Sequence, residues 1–526
     1  MKKIISILIS ISVVCSMGVL PALALGEDIE MTPQAAEDYC VSQTITYDMI
    51  DATNKSGIYA DAEQTFTLFV SPSETAPQQI LVQNDLVQIR DGVKDGSMLT
   101  WSEWRVLNNP TVQNDNAVYV VCDGNNDADK INAALGENAD TNTMKRTIYL
   151  VGDCVLNASN LINGTNEKYV IKPCSNVIFD GTYCNQLTWD GIVDVDLSIT
   201  YRMFTFINGE CGFRNLDITY INSGAEGANP EFVLQSPSTG VDAKYTMDHM
   251  YISHMMGPNA HYIRKLLCVY SAPAYINDVT FDDLGYNNFN ILRANLKFTG
   301  KNTVFTNNTF KNCKETYGPY QMPFIELGDE AIFQNNKFDT VGGDNTWRFS
   351  IATGERSQIS ENTFYKCNGL VINSRNNSYI TNNTFQDCTL AGECITGGIW
   401  SNVSQNTFIS CTCKNTVIVV LNGMVSGNTM INGKLADGIT NGIFITAFPN
   451  SLGFVHIKDN TLVCDPQTTG LYLLDVEDTN DPTLSGYENC GTSIITGNAT
   501  TGTTLGNLFL SPKSIVANNI VNGESQ

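Results

Sequence analysis

The chain has 526 residues, of which 54 are acidic and 30 basic, giving a formal charge of −24. So acidic a protein would be repelled by the phosphates of a nucleic acid, which excludes that partner class. With 42% hydrophobic residues, the chain has ample apolar material for a large core.

Residues 1–24 read as a secretory signal: Lys2 and Lys3, an apolar run from Ile4 to Val14, and Ala22-Leu23-Ala24 as the cleavage site. Cys15 follows Val13 and Val14 rather than small residues, so a lipid anchor is not expected. No later stretch supplies the roughly 20 apolar residues that span a bilayer. The expected destination is extracellular, free in solution, and the chain is read as a monomer with no membrane partner. Residues 25–114 carry β-like segments such as Thr65 to Val70 and read as a small β-rich extension or domain.

From residue 115 the character changes. Val120 to Ala134 (VVCDGNNDADKINAA) and Thr147 to Asp153 (TIYLVGD) come ahead of the repeat. A repeat then takes over: Phe305 to Cys313 (FTNNTFKNC), Ile359 to Cys367 (ISENTFYKC), Ile380 to Cys388 (ITNNTFQDC) and Val403 to Cys411 (VSQNTFISC) share one pattern. Phe333 to Val341, Val425 to Gly433 and Ile457 to Cys464 vary it. Looser copies at Phe213 to Ile221, Met247 to Met255 and Ile276 to Leu284 place Leu216, Met250 and Val279 where the others have Asn.

The second apolar position recurs at Ile218, Ile252, Phe281, Phe310, Phe338, Phe364, Phe385, Phe408, Met430 and Leu462, in steps of 21 to 34 residues. The shorter steps leave too little chain for a helix pair but suit one rung of a β-solenoid, the extra residues of longer steps being loops. The fold class is therefore all-β: a solenoid of stacked parallel strands. Stacked rungs convert each repeated residue into a ladder about 4.8 Å apart. Asn308, Asn336, Asn362, Asn383, Asn406, Asn428 and Asn460 form one such ladder, expected to occupy a left-handed bend and to bond amide to amide.

These residues resemble the pectate-lyase-like superfamily of right-handed parallel β-helices, whose loose repeat has the same Asn-Thr-Phe character and whose helices are capped by a short helix and a strand similar to Val120 to Ala134 and Thr147 to Asp153. The resemblance covers residues 115–523 and implies a right-handed parallel β-helix with an N-terminal cap, and a polysaccharide as substrate class. It does not select an activity, since lyases, glycosidases, epimerases and binding proteins share this fold.

Fifteen cysteines remain after Cys15 leaves with the signal. Cys313, Cys367, Cys388 and Cys411 hold one repeat position, so their side chains point the same way on successive rungs. That fits disulfide geometry poorly, and buried thiols are expected. Cys411, Cys413 and Cys394 lack the further ligands of a metal site. The Asn-x-Ser/Thr sequons follow from the ladder itself and do not establish glycosylation.

Function is sought where long loops, charge and aromatics coincide, between residues 243 and 348. Lys244, Arg264, Lys265, Arg293, Lys297, Lys301, Lys311 and Lys314 outnumber Asp248, Asp278, Asp282 and Asp283 between residues 243 and 314, and His249, His254 and His261 fall there too. Such a basic island attracts an anionic ligand locally, because more distant acidic charge is screened beyond about 8 Å. Strand alternation with Ile325, Ile351 and Ile372 inward turns Glu326, Ala352 and Asn373 outward on one sheet face. Tyr262, Tyr286, Tyr317, Tyr320 and Trp347 lie in the flanking loops as candidate sugar-binding rings.

Two chemistries compete. Uronate β-elimination needs a base for the C5 proton and positive charge or metal beside the carboxylate. Lys265 or His261 is the candidate base, with Arg264 and Arg293 as neutralisers and Asp282, Asp283 and Glu326 as possible calcium ligands. Hydrolysis needs two carboxyl groups, which Asp282, Asp283 and Glu326 could supply. The basic island favours elimination. A non-catalytic glycan-binding or adhesin-like solenoid is the reading from another class, and a bland outward sheet face would favour it.

Overall fold

A computed structural model describes residues 117–157, 162–163, 167–190, 200–221, 243–255, 267–269, 272–287, 296–317, 323–342, 349–449, 453–477, 492–510 and 514–525, together with short strands between Gln43 and Val106. The signal lies outside the described residues. The short strands from Gln43–Thr44 to Arg105–Val106, Phe66–Val70 among them, pair with one another in a seven-stranded sheet.

Beyond residue 117 the chain winds in rungs; the early ones hold long strands such as Glu210–Ile221 that run through two sheets, and from Leu296–Phe298 onward short strands, three to a rung, predominate. One rung runs Ile325–Leu327, Ile332–Gln334 and Lys337–Asp339; the next runs Phe349–Thr353, Gln358–Ser360 and Thr363–Tyr365. Each strand pairs in parallel with its equivalent one rung on: Ile325 with Ile351, Phe333 with Ile359, Phe338 with Phe364. Repeating the pattern builds three long sheets, here called first, second and third in the order of that rung. The chain is a right-handed parallel β-helix, the hand that parallel crossovers take almost without exception.

Inward residues of the three sheets make one continuous core. Phe281, Phe310, Phe338, Phe364, Phe385 and Phe408 stack face to face on the third sheet, with successive ring centroids 4.7, 4.7, 4.7, 4.8 and 4.5 Å apart. This spacing is the rung height itself. Ile325, Ile351 and Ile372 fill the first-sheet side and are fully buried.

The asparagine ladder is buried too, and its geometry differs from the sequence expectation. Asn308, Asn336, Asn362, Asn383, Asn406, Asn428 and Asn460 have no exposed surface, and Asn498 and Asn519 continue the row. In each, Nδ2 donates to Oδ1 of the next ladder Asn at 2.9–3.0 Å, as from Asn383 to Asn406 and from Asn406 to Asn428. The same Oδ1 accepts the backbone N–H of the previous ladder residue, and Nδ2 also reaches a carbonyl such as Ile380 O at 2.9 Å. The left-handed residue is instead the one before it: Asn307, Asn335, Glu361, Asn382 and Gln405, with φ between 54° and 60°. That residue makes the bend, which turns the ladder Asn inward where its amide satisfies buried backbone groups.

At the N-terminal end the helix Asp127–Leu135 buries Ala128, Ile131 and Leu135 against the first rungs. The Asp127 carboxylate ties it down by accepting the backbone N–H groups of Gly124 and Val155, both at 2.9 Å, and Lys130 Nζ at 3.0 Å. Among the described residues twelve cysteines are free thiols, and all of these but Cys184 are buried. Cys313, Cys388 and Cys411 donate to main-chain carbonyls of Phe281, Phe364 and Phe385. Burial pushes the Cys313 thiol up to about 12, so it stays protonated and unreactive.

Asn406→Ala is expected to cost about 3 kcal/mol or more, because it leaves the buried Asn383 N–H without its acceptor and removes three further buried hydrogen bonds, to Asn383 Nδ2, Ile380 O and Asn428 Oδ1, at roughly 1 kcal/mol per bond and 1–3 kcal/mol for a stranded group. Asn382→Ala, at the exposed left-handed position, should cost only about 1 kcal/mol. Denaturant unfolding of the two variants checks this ordering; equal losses would contradict it.

Candidate functional site

The first sheet carries an outward column. Register places Lys297 beside Glu326, then Ala352, Asn373, Thr396, Val419, Thr446, Asp475 and Asn507. The outward turn expected of Glu326, Ala352 and Asn373 is therefore met. Charge is confined to Lys297 and Glu326 at one end and Asp475 near the other. Lys297 Nζ lies 2.6 Å from Glu326 Oε2, with the side chains 18% and 28% exposed. Burial raises the Asp475 carboxyl above the ordinary carboxylate range.

The charged end of the column coincides with long connections. After the turn at Asp283, Gly285–Asn287 pairs in parallel with Lys314–Tyr317 from the next rung, Tyr286 opposite Glu315 and Asn287 opposite Tyr317. These strands form a shoulder leading to Leu296–Phe298 and Ile325–Leu327 of the first sheet. In later rungs the same connection vanishes: Asn368–Ser374 and Thr389–Gly397 begin directly after Cys367 and Cys388. Tyr286 and Tyr317 are thus brought to one shoulder. His261, Tyr262, Arg264, Lys265, Arg293, Tyr320 and Trp347 lie outside the described residues.

The three carboxylates proposed to act together are separated. Asp282 ends the strand Ala274–Asp282 on the third sheet rather than the first. Its Oδ2 accepts Tyr251 OH at 2.5 Å and faces Lys311 Nζ at 3.0 Å, and its Oδ1 accepts Asn312 Nδ2 at 3.0 Å. Asp283 is the exposed left-handed residue of the following turn, φ 51°. Glu326 has its own lysine. The signal that finds Lys311 and Lys297 as partners is the rung offset: each stands one rung from its acid in register. Sequence reading counted both only as members of a basic island.

With Asp282 and Glu326 each held by a lysine and lying on different sheets, they do not fit a shared calcium site. The one group of three metal-ligating side chains among the described residues, Cys122, Asp127 and Cys154, sits under the N-terminal helix. There the Asp127 oxygens already accept main-chain N–H groups. His249 is a left-handed turn residue between the second and third sheets, Nδ1 3.1 Å from Asp248 and Nε2 3.5 Å from Asp278, on the ladder side of the molecule.

No protein-family model matches the chain, and no curated protein matches it by sequence. Among solved structures it is similar to a periplasmic alginate epimerase in two mutant forms. One is 11% identical over 72% of this chain and 85% of that one, TM-score 0.30, and the other 12% identical over 70% and 83%, TM-score 0.28. It is also similar to a bacteriophage CBA120 tailspike protein, 10% identical over 81% of this chain and 75% of that one, TM-score 0.23. The class defined by fold and site is a right-handed parallel β-helix protein with a charged pair at one end of an otherwise nearly neutral outward column.

Burial alone would raise the Asp282 carboxyl, but hydrogen bonds from Tyr251, Asn312 and Lys311 and the Lys311 charge outweigh it and hold the carboxyl below its ordinary value of 3.8. A depressed folded-state value contributes stability above the unfolded value that is lost as pH falls through the folded one. The stability advantage of the wild type over Asp282→Asn should therefore be full at neutral pH and shrink as pH drops below 3.8. Chemical unfolding across that range checks it, and a difference independent of pH would contradict it.

Proposed function

We propose that the protein is an exported polysaccharide-acting β-helix protein that binds a uronate-containing glycan along the first sheet and cleaves it by β-elimination. The observation that carries this reading is the placement of the Lys297–Glu326 pair. It is the charged end of the outward column, and it falls in the rungs whose connections build a shoulder. A rigid sheet face with one charged end suits a polymer that reacts at one point. The basic residues of this stretch supply what elimination needs, positive charge next to the acidified carboxylate.

In this reading Lys265 or His261 removes the C5 proton, and Arg264 and Arg293 neutralise the carboxylate. Tyr262, Tyr286, Tyr317, Tyr320 and Trp347 hold the sugar rings. Elimination is metal-independent here, because Asp282 and Glu326 are committed to lysines. Paired-carboxylate hydrolysis is less favoured on the same ground. Non-catalytic glycan binding is the second reading, supported by the neutral column from Ala352 to Thr446.

The deciding assay offers the purified protein a panel of uronate-containing and neutral polysaccharides with and without chelator. Elimination appears as ultraviolet absorbance of the new conjugated double bond, hydrolysis as reducing ends without it, and binding alone as retention without either. The expected result is absorbance that chelator does not abolish. Lys265→Ala and Arg293→Ala should each lose about 100-fold or more in rate with unchanged melting, the scale of a lost acid–base or charge-stabilising group. Full activity in both variants would discard the residue assignment.

A further inference from the structure

The turn between the first and second sheets carries one left-handed residue per rung: Asn302, Glu330, Arg356, Asn377 and Trp400, with φ between 56° and 62°. Cross-rung bonds align these turns, as from the N–H of Glu330 to Glu355 O and of Asn377 to Ile399 O. Four of the five are polar residues that face water. A bulky aromatic in that conformation costs on the order of 1 kcal/mol or more and is an outlier for its type. Packing does not recover the cost, since Trp400 remains 47% exposed.

Trp400 does not stand alone. Phe454, two rungs on, is 46% exposed, and its ring lies 5.5 Å from the indole in an edge-to-face arrangement that leaves ring surface open to solvent. Leu421 and Phe448 of the neighbouring rungs are exposed as well. Arg375 occupies the turn one rung before, so close to the Trp400 turn that a Cβ at Gly398 would lie 2.7 Å from its carbonyl carbon. Arg375 is exposed and has no acidic partner among the described residues. Arg356 and Lys301 at the same edge are both paired with Glu330.

We propose that Trp400, Phe454 and Arg375 form a second, non-catalytic binding site for an acidic polysaccharide. Pyranose rings stack on the two aromatic faces, and the Arg375 guanidinium pairs with a uronate carboxylate, a bidentate match that a lysine would not give. The unpaired cation in a chain of charge −24 selects an anionic sugar over a neutral one. Thr396, just before the turn, stands three register steps from Glu326 on the outward column, about 14 Å along the axis. A chain held at Trp400 therefore runs back along the first sheet to the Lys297–Glu326 pair. The site rests on the acidic-polysaccharide reading above but not on the cleavage chemistry.

The test is retention of the full chain in native gels containing polygalacturonate, its carboxyl-reduced neutral counterpart, or no polymer. Trp400→Asn keeps the turn, since Asn302 and Asn377 fill the equivalent position, and should melt like wild type. It should weaken retention about tenfold, as should Phe454→Ala. Arg375→Gln should abolish the preference for polygalacturonate over the reduced polymer. Elimination on short oligomers should be unchanged in all three. Loss of retention in Trp400→Asn with no elimination by wild type keeps this site and removes the lyase reading. Wild-type retention in both aromatic variants, equal retention on the reduced polymer, or no retention of wild type on polygalacturonate overturns the site whatever the catalytic result.

Discussion

The buried asparagine ladder is the interaction on which the rest of the molecule depends. A stack of apolar rungs has little to prevent one rung slipping past the next, because phenylalanine against phenylalanine is tolerant of small offsets. An amide that must donate to the next amide and accept from the previous backbone is not tolerant, since any slip leaves buried polar groups unpaired. The row from Asn308 to Asn519 therefore sets the register rung by rung, and the three sheets inherit it.

Register then decides what the surface can do. Strand alternation alone says that a residue faces outward, but only the rung offset says which residues become neighbours. Lys297 and Glu326 are 29 positions apart in sequence and adjacent in space because one rung spans that distance. The same offset gives Asp282 its Lys311 and removes it from any partnership with Glu326. Loop length adds the second layer of control. Where the connection into the first sheet is long, it pairs with its neighbour as a shoulder; where it is absent, the outward column is neutral.

Much of the fold was legible because a repeated pattern is read many times over. Phe310, Phe338, Phe364, Phe385 and Phe408 announce one inward column, and a single exception cannot hide it. The bend was misassigned by one residue for a physical reason. Asparagine is common both at left-handed positions and as an amide ladder, and runs such as Asn307-Asn308 and Asn382-Asn383 contain both roles side by side; Glu361-Asn362 and Gln405-Asn406 separate them. The site was less legible. Ionic partners across rungs depend on exact step lengths, which vary from 21 to 34 residues. Trp400 carries no signal of its own in the sequence, because its turn holds no fixed residue type from rung to rung. Aligning Asn302, Glu330, Arg356 and Asn377 with it would have shown an aromatic in a polar column.

Hydrogen exchange of the ladder amides tests the central claim most directly. The backbone N–H groups of Asn336, Asn362, Asn383, Asn406 and Asn428 each donate to a side-chain oxygen of the next rung rather than to a strand partner. If the ladder locks the register, these amides exchange as slowly as the central strand amides and open only with global unfolding. Exchange at the rate of exposed turns, while the flanking strands stay protected, would show that the rungs are held by apolar packing alone.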